Sequence, residues 1–208
     1  MRVLVIGAGG RTGRHIVEQA LGHGHDVRAF VRSTEPGLAH PRLEVVRGDV
    51  LDFDAVNAAV EGCDAVAFAL GSGGGSKVTV FSEGIANVIH AMAVHQIYKL
   101  AAISAAGTFA RDDSRLSMGF RLKIKTTLKP VYDDLERMEQ RIMASALDWT
   151  IVRPVGLSDG PKTGDYRTSL DGQLLPKSSR VSRADVAALV LKALETQVYT
   201  HSAVTIAD

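Results

Sequence analysis

The chain has 208 residues, of which 46% are hydrophobic, 23% charged and only 5% aromatic, the composition of an ordinary globular protein rich in small aliphatics and neither disordered nor fibrous. Lys+Arg 24 against Asp+Glu 23 leave a formal charge of +1, so no overall field draws the chain to nucleic acid. Its one cysteine, Cys63, excludes an intrachain disulfide, no Cys/His spacing marks a metal site, and no apolar run nears the roughly 20 residues of a membrane helix. The apolar stretch from Met1 to Gly7 is too short for a secretory signal, and a mature protein of the reducing cytoplasm, off the membrane, is expected.

Along the chain, Val3 to Ile6 predicts a strand and Gly13 to Leu21 a helix. Strands follow at Val27 to Val31 and Leu43 to Val46, a helix at Phe53 to Val60, a strand at Ala65 to Leu70 and a long helix at Thr79 to Val94. The second half continues with strand Leu100 to Ile103, helix Tyr132 to Ser145, strand Thr150 to Val152, helix Ala184 to Leu194 and strand Ala203 to Ile206. Unbroken apolar strands are those buried on both faces, and their alternation with helices predicts an α/β doubly wound parallel sheet with helices on both faces, one domain over 1–208. Ser182, three residues before Asp185, gives the last helix a capping-box start.

Two long connections, 105–130 and 156–181, follow the carboxyl ends of strands, the edge at which open α/β sheets bind ligands. Both are expected to wall a substrate site. The first carries Arg111, Arg115, Arg121, Lys123, Lys125 and Lys129 against Asp112 and Asp113. That excess favours an anionic small molecule, unless the charges are simply a solvated face. In the second, Tyr166 to Leu170 and Gln173 to Leu175 flank Asp171-Gly172, a two-residue hairpin turn.

Directly after the first strand stand Gly7-Ala8-Gly9-Gly10-Arg11-Thr12-Gly13, and the helix follows at once. Glycines permit a tight turn and let backbone N–H groups approach a pyrophosphate, while the helix start adds unpaired donors and its positive dipole end. The spacing is G-x-x-G-x-x-G, with Thr12 where the commoner pattern has its third glycine; the strand before and the helix after make it a dinucleotide-binding turn. Where a carboxylate would bond the adenosine ribose of NAD, the second strand runs Phe30-Val31 into Arg32, and Asp26 lies at its opposite end. A guanidinium suits a 2′-phosphate and Arg11 offers a second charge, so NADP(H) is expected to be preferred over NAD(H). Asp49, in Gly48-Asp49-Val50, is placed either to accept from the adenine amino group or to serve as a turn or cap aspartate. The glycine-rich run from Leu70-Gly71 to Lys77 offers further backbone at the same edge.

In order, Gly7 to Gly13, Val31-Arg32, Gly48-Asp49-Val50, Asp64 to Ser72, Ser82-Glu83-Gly84, Ser104, Asp148 to Pro154, Thr163-Gly164 and Leu170-Asp171-Gly172 form a series. Over essentially the whole chain this series resembles the atypical short-chain dehydrogenase/reductases, specifically the NAD(P)H-binding group with flavin reductase (biliverdin-IXβ reductase) and the NmrA-like proteins. The resemblance implies a Rossmann-like fold with NADP across the strand ends. To the glycine turn it adds Thr12, Arg32, Asp49, Val50, Leu70, Gly71, Ser104, Pro154 and Val155 as lining residues.

Short-chain dehydrogenases acting on a carbonyl or an alcohol need a Tyr as acid/base, a Lys one helical turn later and an orienting Ser. Ser104 matches the Ser and is the catalytic candidate, but Tyr132 is followed four residues on by Glu136, a carboxylate expected to raise the phenol's pKa. Tyr98-Lys99 precedes a strand on the wrong side of Ser104, and the histidine of the flavin reductase pattern is here Val155. The expectation is an NADPH-dependent reductase passing hydride to a flat conjugated acceptor such as a flavin or quinone, which draws protons from solvent. The alternative is a non-catalytic NADP(H)-sensing regulatory protein of NmrA-like type; a nucleotide-sugar epimerase would need the relay and a larger C-terminal region. Among single residues, Cys63 reads as an inert packing thiol without a basic neighbour, and Trp149 as packing. His23, His25, His40, His90 and His95 read as surface residues with no pair in a metal environment, and Arg153 as meeting a substrate or a carboxylate.

Overall fold

In the computed structural model, residues 1–71, 78–170, 174–175, 180–196 and 198–208 are described. The first half runs β1 (Arg2–Ile6), α1 (Arg11–Gly22), β2 (Asp26–Val31), β3 (Leu43–Arg47), α2 (Phe53–Val60), β4 (Ala65–Phe68), α3 (Val80–Val94) and β5 (Lys99–Ile103). The second runs α4 (Met118–Lys125), α5 (Lys129–Met143), β6 (Asp148–Pro154), β7 (Leu157–Ser158), β8 (Arg167–Ser169), β9 (Val181–Ser182), α6 (Arg183–Thr196) and β10 (Ser202–Ala207). The main sheet has the order β3-β2-β1-β4-β5-β6-β10-β8, parallel except for β8 against β10. Strand order reverses between β1 and β4, which opens a crevice at their carboxyl ends.

Both faces of the sheet are covered, as its apolar strands require. Val3 and Val5 of β1 point to the face where Ile16, Val17 and Ala20 of α1 meet Val186, Leu189 and Val190 of α6. Leu4 and Ile6 point to the other, under Val56 of α2, Ile85 and Met92 of α3, and Met138 and Ile142 of α5. This is the two-residue period of a strand expressed on two cores at once. Among the described residues no helix is long and apolar enough to cross a membrane.

Two parts of the structure differ from the sequence expectation, and a third falls partly outside the described residues. The first long connection contains a helix, α4, which the sequence disguises: Phe120-Arg121-Leu122-Lys123-Ile124-Lys125 alternates like a strand, and only Ile124 is buried. Its start is held by Ser117 Oγ, which accepts from Phe120 N at 3.3 Å. In the second connection the Asp171-Gly172 turn lies outside the described residues, and β8 pairs with β10 through Thr168↔Ile206. Finally, His23 and His25 are not isolated surface residues. Because α1 and α6 pack side by side on one face, both imidazoles reach Glu195 of α6 at 2.8 Å.

Candidate functional site

The chain leaves β1 in a turn anchored to the neighbouring strand: Gly7 N and Ala8 N donate to Phe30 O at 3.2 and 3.4 Å, and Gly10 N to Gly7 O at 2.9 Å. A Cβ on Gly9 would lie 1.8 Å from the Thr34 carbonyl oxygen, so the close approach of these two backbones admits no side chain. α1 then begins behind Gly10 with no side-chain cap and no acidic residue in its first turn. Its first N–H groups and its positive end are therefore offered to an external anion.

A cavity of about 550 Å³ opens beside this turn, lined by Gly7, Gly9, Gly10, Phe30, Val31, Arg32, Ser33, Thr34, Gly48, Asp49, Val50, Leu51, Leu70, Gly71, Val78 and Val80. Its volume suits a cofactor site. Of the expected residues, Gly7, Gly9, Gly10, Arg32, Asp49, Val50, Leu70 and Gly71 are brought together here. Thr12 and Gly13 lie in the first turn of α1, and Ser104, Pro154 and Val155 lie farther along the same edge, at the ends of β5 and β6. Residues 72–77 of the glycine-rich run lie outside the described residues.

Arg11 is drawn elsewhere, its Nη1 lying 3.3 Å from Asp159 Oδ2. On the neighbouring strand β3, Arg47 donates to Ser33 O at 3.2 Å and to Glu35 Oε1 at 2.5 Å, tying down the segment that follows Arg32. Sequence spacing hides Arg47, which arrives through the parallel register Val31↔Arg47. Among the described residues the Arg32 guanidinium has no ion-pair partner, and Asp49, which accepts from Leu51 N at 3.0 Å, is both a turn aspartate and a cavity residue.

At the β5 and β6 ends stands a buried charged network. Ser104 Oγ donates to the Glu139 carboxylate, which also receives Arg153 through Nε, at 3.2 and 3.1 Å, and through Nη2. Thr108 Oγ1 lies 3.3 Å from Ser104 Oγ, and the Phe109 ring covers the Arg153 guanidinium with its centroid at 5.0 Å. Glu139 is 0% and Arg153 5% exposed. Buried charges at this depth must be paired, which decides between the two readings of Arg153 in favour of a carboxylate. Glu139 itself went unnoticed in sequence. The available signal was a glutamate within the buried stripe Tyr132, Leu135, Met138, Ile142 of α5, with an arginine in a strand otherwise buried.

Tyr132 is on this helix too. Burial pushes its phenol up and the Arg111 charge only partly opposes that. Glu136, expected to be the cause, is bound by Arg111 Nη2 at 2.7 Å. The cationic excess of the first connection is largely compensated, with Arg111 and Lys129 each 2.6 Å from Asp133 of α5, Arg115 2.6 Å from Asp113, and Lys125 paired with Asp112. Hydrogen bonds from Arg115 hold the Asp113 carboxyl at about 2.

The two long connections meet. Arg115 Nη1 donates to Leu174 O at 2.6 Å, and the Leu174 side chain is buried with Ala106, Leu116, Ile124 and Tyr132. The capping box does more than start α6: Asp185 accepts from Thr163 N at 3.0 Å, Gly164 N at 2.8 Å and Ser182 Oγ at 2.7 Å, pinning the second connection to the helix. Burial pushes the Asp185 carboxyl up, but the hydrogen bonds outweigh it and hold the group below its ordinary value. Cys63, contrary to expectation, has a basic neighbour, Arg28 Nη1 at 3.8 Å; burial nonetheless wins and raises the thiol.

YhfK of Bacillus subtilis, named an uncharacterized sugar epimerase, is 30% identical over 203 residues, covering 94% of this chain and 88% of YhfK. A Rossmann-fold NAD(P)-binding family protein from Shigella flexneri superposes with a TM-score of 0.73 at 25% identity, covering 99% and 92% of the two chains. A short-chain dehydrogenase/reductase from Veillonella parvula, solved in complex with NADP, shares the fold at a TM-score of 0.84 and 17% identity, covering 100% and 94%. A family model described as NAD(P)H-binding matches residues 7–197, from the glycine turn through α6. With that match spanning both the turn and the strand-end network, the chain belongs to the NAD(P)H-binding family.

Proposed function

We propose that the protein is an NADPH-dependent reductase whose acceptor is a flat conjugated molecule such as a flavin or a quinone. The observation that carries this reading is the fate of the proton relay: the Ser104 hydroxyl is given to Glu139, and the place of the relay lysine is taken by Glu136, itself bound to Arg111. A ketone or sugar carbon needs a positioned acid/base pair, whereas a flavin or quinone draws its protons from solvent. The same arrangement weighs against an epimerase chemistry of the kind named for YhfK. NADPH, when bound, supplies the hydride. Toward it, Arg32 suits a 2′-phosphate, Asp49 and Val50 suit the adenine, and the uncapped start of α1 suits the pyrophosphate.

The test is to mix the purified protein with NADPH or NADH and a panel of FMN, FAD and soluble quinones and to follow loss of the nicotinamide absorbance. Turnover faster with NADPH than with NADH is expected. Tight NADPH binding by calorimetry with no turnover on any acceptor would replace this reading by the sensing one, in which the commitment of Ser104 to Glu139 leaves a cofactor-binding protein without chemistry.

A further inference from the structure

On the side of the sheet away from the cavity, α1 ends in a reversal in which Gly24, at φ 88°, donates to Leu21 O and His25 N to Ala20 O, both at 3.0 Å. This pair of bonds is a Schellman turn, and its left-handed residue is the reason for a glycine there. The turn sets His23 and His25 on either side of Gly24, facing the last turn of α6. His23 Nδ1 and His25 Nε2 each lie 2.8 Å from the same oxygen, Glu195 Oε1, and the two rings stand 6.3 Å apart at 69°. The three ligand atoms fall within 4.8 Å of one another.

We propose that His23, His25 and Glu195 bind a divalent first-row transition-metal ion, with Zn²⁺ the leading candidate, clipping the C-terminal end of α1 to that of α6. Two imidazole nitrogens and one carboxylate oxygen are the ligand set such borderline ions take, with water completing the shell. Ligand atoms around a tetrahedral zinc stand roughly 3–3.5 Å apart, so the existing cluster needs only a small spread to admit the ion. His25, at 15% side-chain exposure, has its ring orientation fixed, whereas His23, at 41%, leaves an entrance from solvent.

The nearby cations are engaged elsewhere. Arg42 holds the Gly24 and Leu21 carbonyls at 2.8 and 3.1 Å, and Lys192, one turn before Glu195, lies over the Tyr199 ring at 5.8 Å. The site is remote from the nucleotide cavity and owes nothing to the identity of the acceptor.

The experiment is calorimetric titration of ZnCl₂ into the full chain after EDTA treatment and desalting, at about pH 7.5, with cobalt substitution as a spectroscopic readout. One ion per chain with micromolar or tighter affinity is expected, weakened roughly tenfold or more in His25→Gln and in Glu195→Gln. Co²⁺ should show the visible absorption of a four- or five-coordinate ion. His23→Gln, at the exposed position, provides the same test should His25→Gln fail to fold, and circular dichroism melts in EDTA establish which variants are intact. Binding no tighter than millimolar, or an unchanged affinity in folded Glu195→Gln and His23→Gln, would overturn the proposal and assign any bound zinc to other histidines such as His40 or His201.

Discussion

Arg153 and Glu139 show how a single residue takes its meaning from depth. On the surface their pairing would contribute less than about 1 kcal/mol; buried, removing one partner strands the other, at about 3–5 kcal/mol. Glu139→Gln is therefore expected to lower stability by about 3 kcal/mol in a urea titration, because the amide keeps an acceptor for the Ser104 hydroxyl but leaves the buried Arg153 charge without its counter-charge. Gly9 is limited by space instead. With the Thr34 carbonyl 1.8 Å from a would-be Cβ, Gly9→Ala must move the turn, and NADPH affinity should drop at least tenfold while far-ultraviolet dichroism stays unchanged. Arg32→Asp separates charge from shape at the cavity wall: it should weaken NADPH binding by about 1–3 kcal/mol with little effect on NADH, and equal losses for both would reject the assignment of Arg32 to a 2′-phosphate.

Among the elements, α3 depends on a residue outside itself. Thr79 at its start supplies no side-chain cap, and Asp134 of α5 instead accepts from Phe81 N at 2.9 Å and Ser82 N at 3.4 Å. Charge-assisted bonds to helix-start donors contribute about 1.5–3 kcal/mol. Asp134→Ala should thus reduce stability by about 2 kcal/mol, with an unchanged denaturant slope if the folded state is otherwise kept. Elements whose two faces are both buried, such as β1 and β4, announce themselves in sequence as unbroken apolar runs. Elements with one buried residue do not, which is why α4 was hidden behind the alternation of residues 120–125.

For the whole molecule, the fastening of the second long connection to α6 rests on the polar ties of Asp185, and these respond to acid. Its carboxyl lies below the ordinary value of 3.8 in the folded chain, so its stabilising effect is complete above that value and is lost as pH falls through the lower folded value. Hydrogen exchange at Thr163 and Gly164 should accelerate over that acid range before the central strands open. Asp185→Asn should show the faster exchange already at neutral pH; unchanged protection of both amides in that variant would remove Asp185 from this role.

By itself, the order of residues determined the alternating parallel architecture and the nucleotide-binding turn, because each of these is written locally: in apolar periodicity, in glycines between a strand and a helix, in an arginine at a strand end. What only the tertiary structure decided is which distant side chains share a place. Arg47 comes to the Ser33 carbonyl and Glu35 through strand register, Glu139 comes under Ser104 and Arg153 through the packing of α5 on the sheet, and Glu195 comes between two histidines through the packing of α6 on α1. The physical reason is that burial and pairing of charge depend on separation in space, and separation along the chain carries almost no information about it.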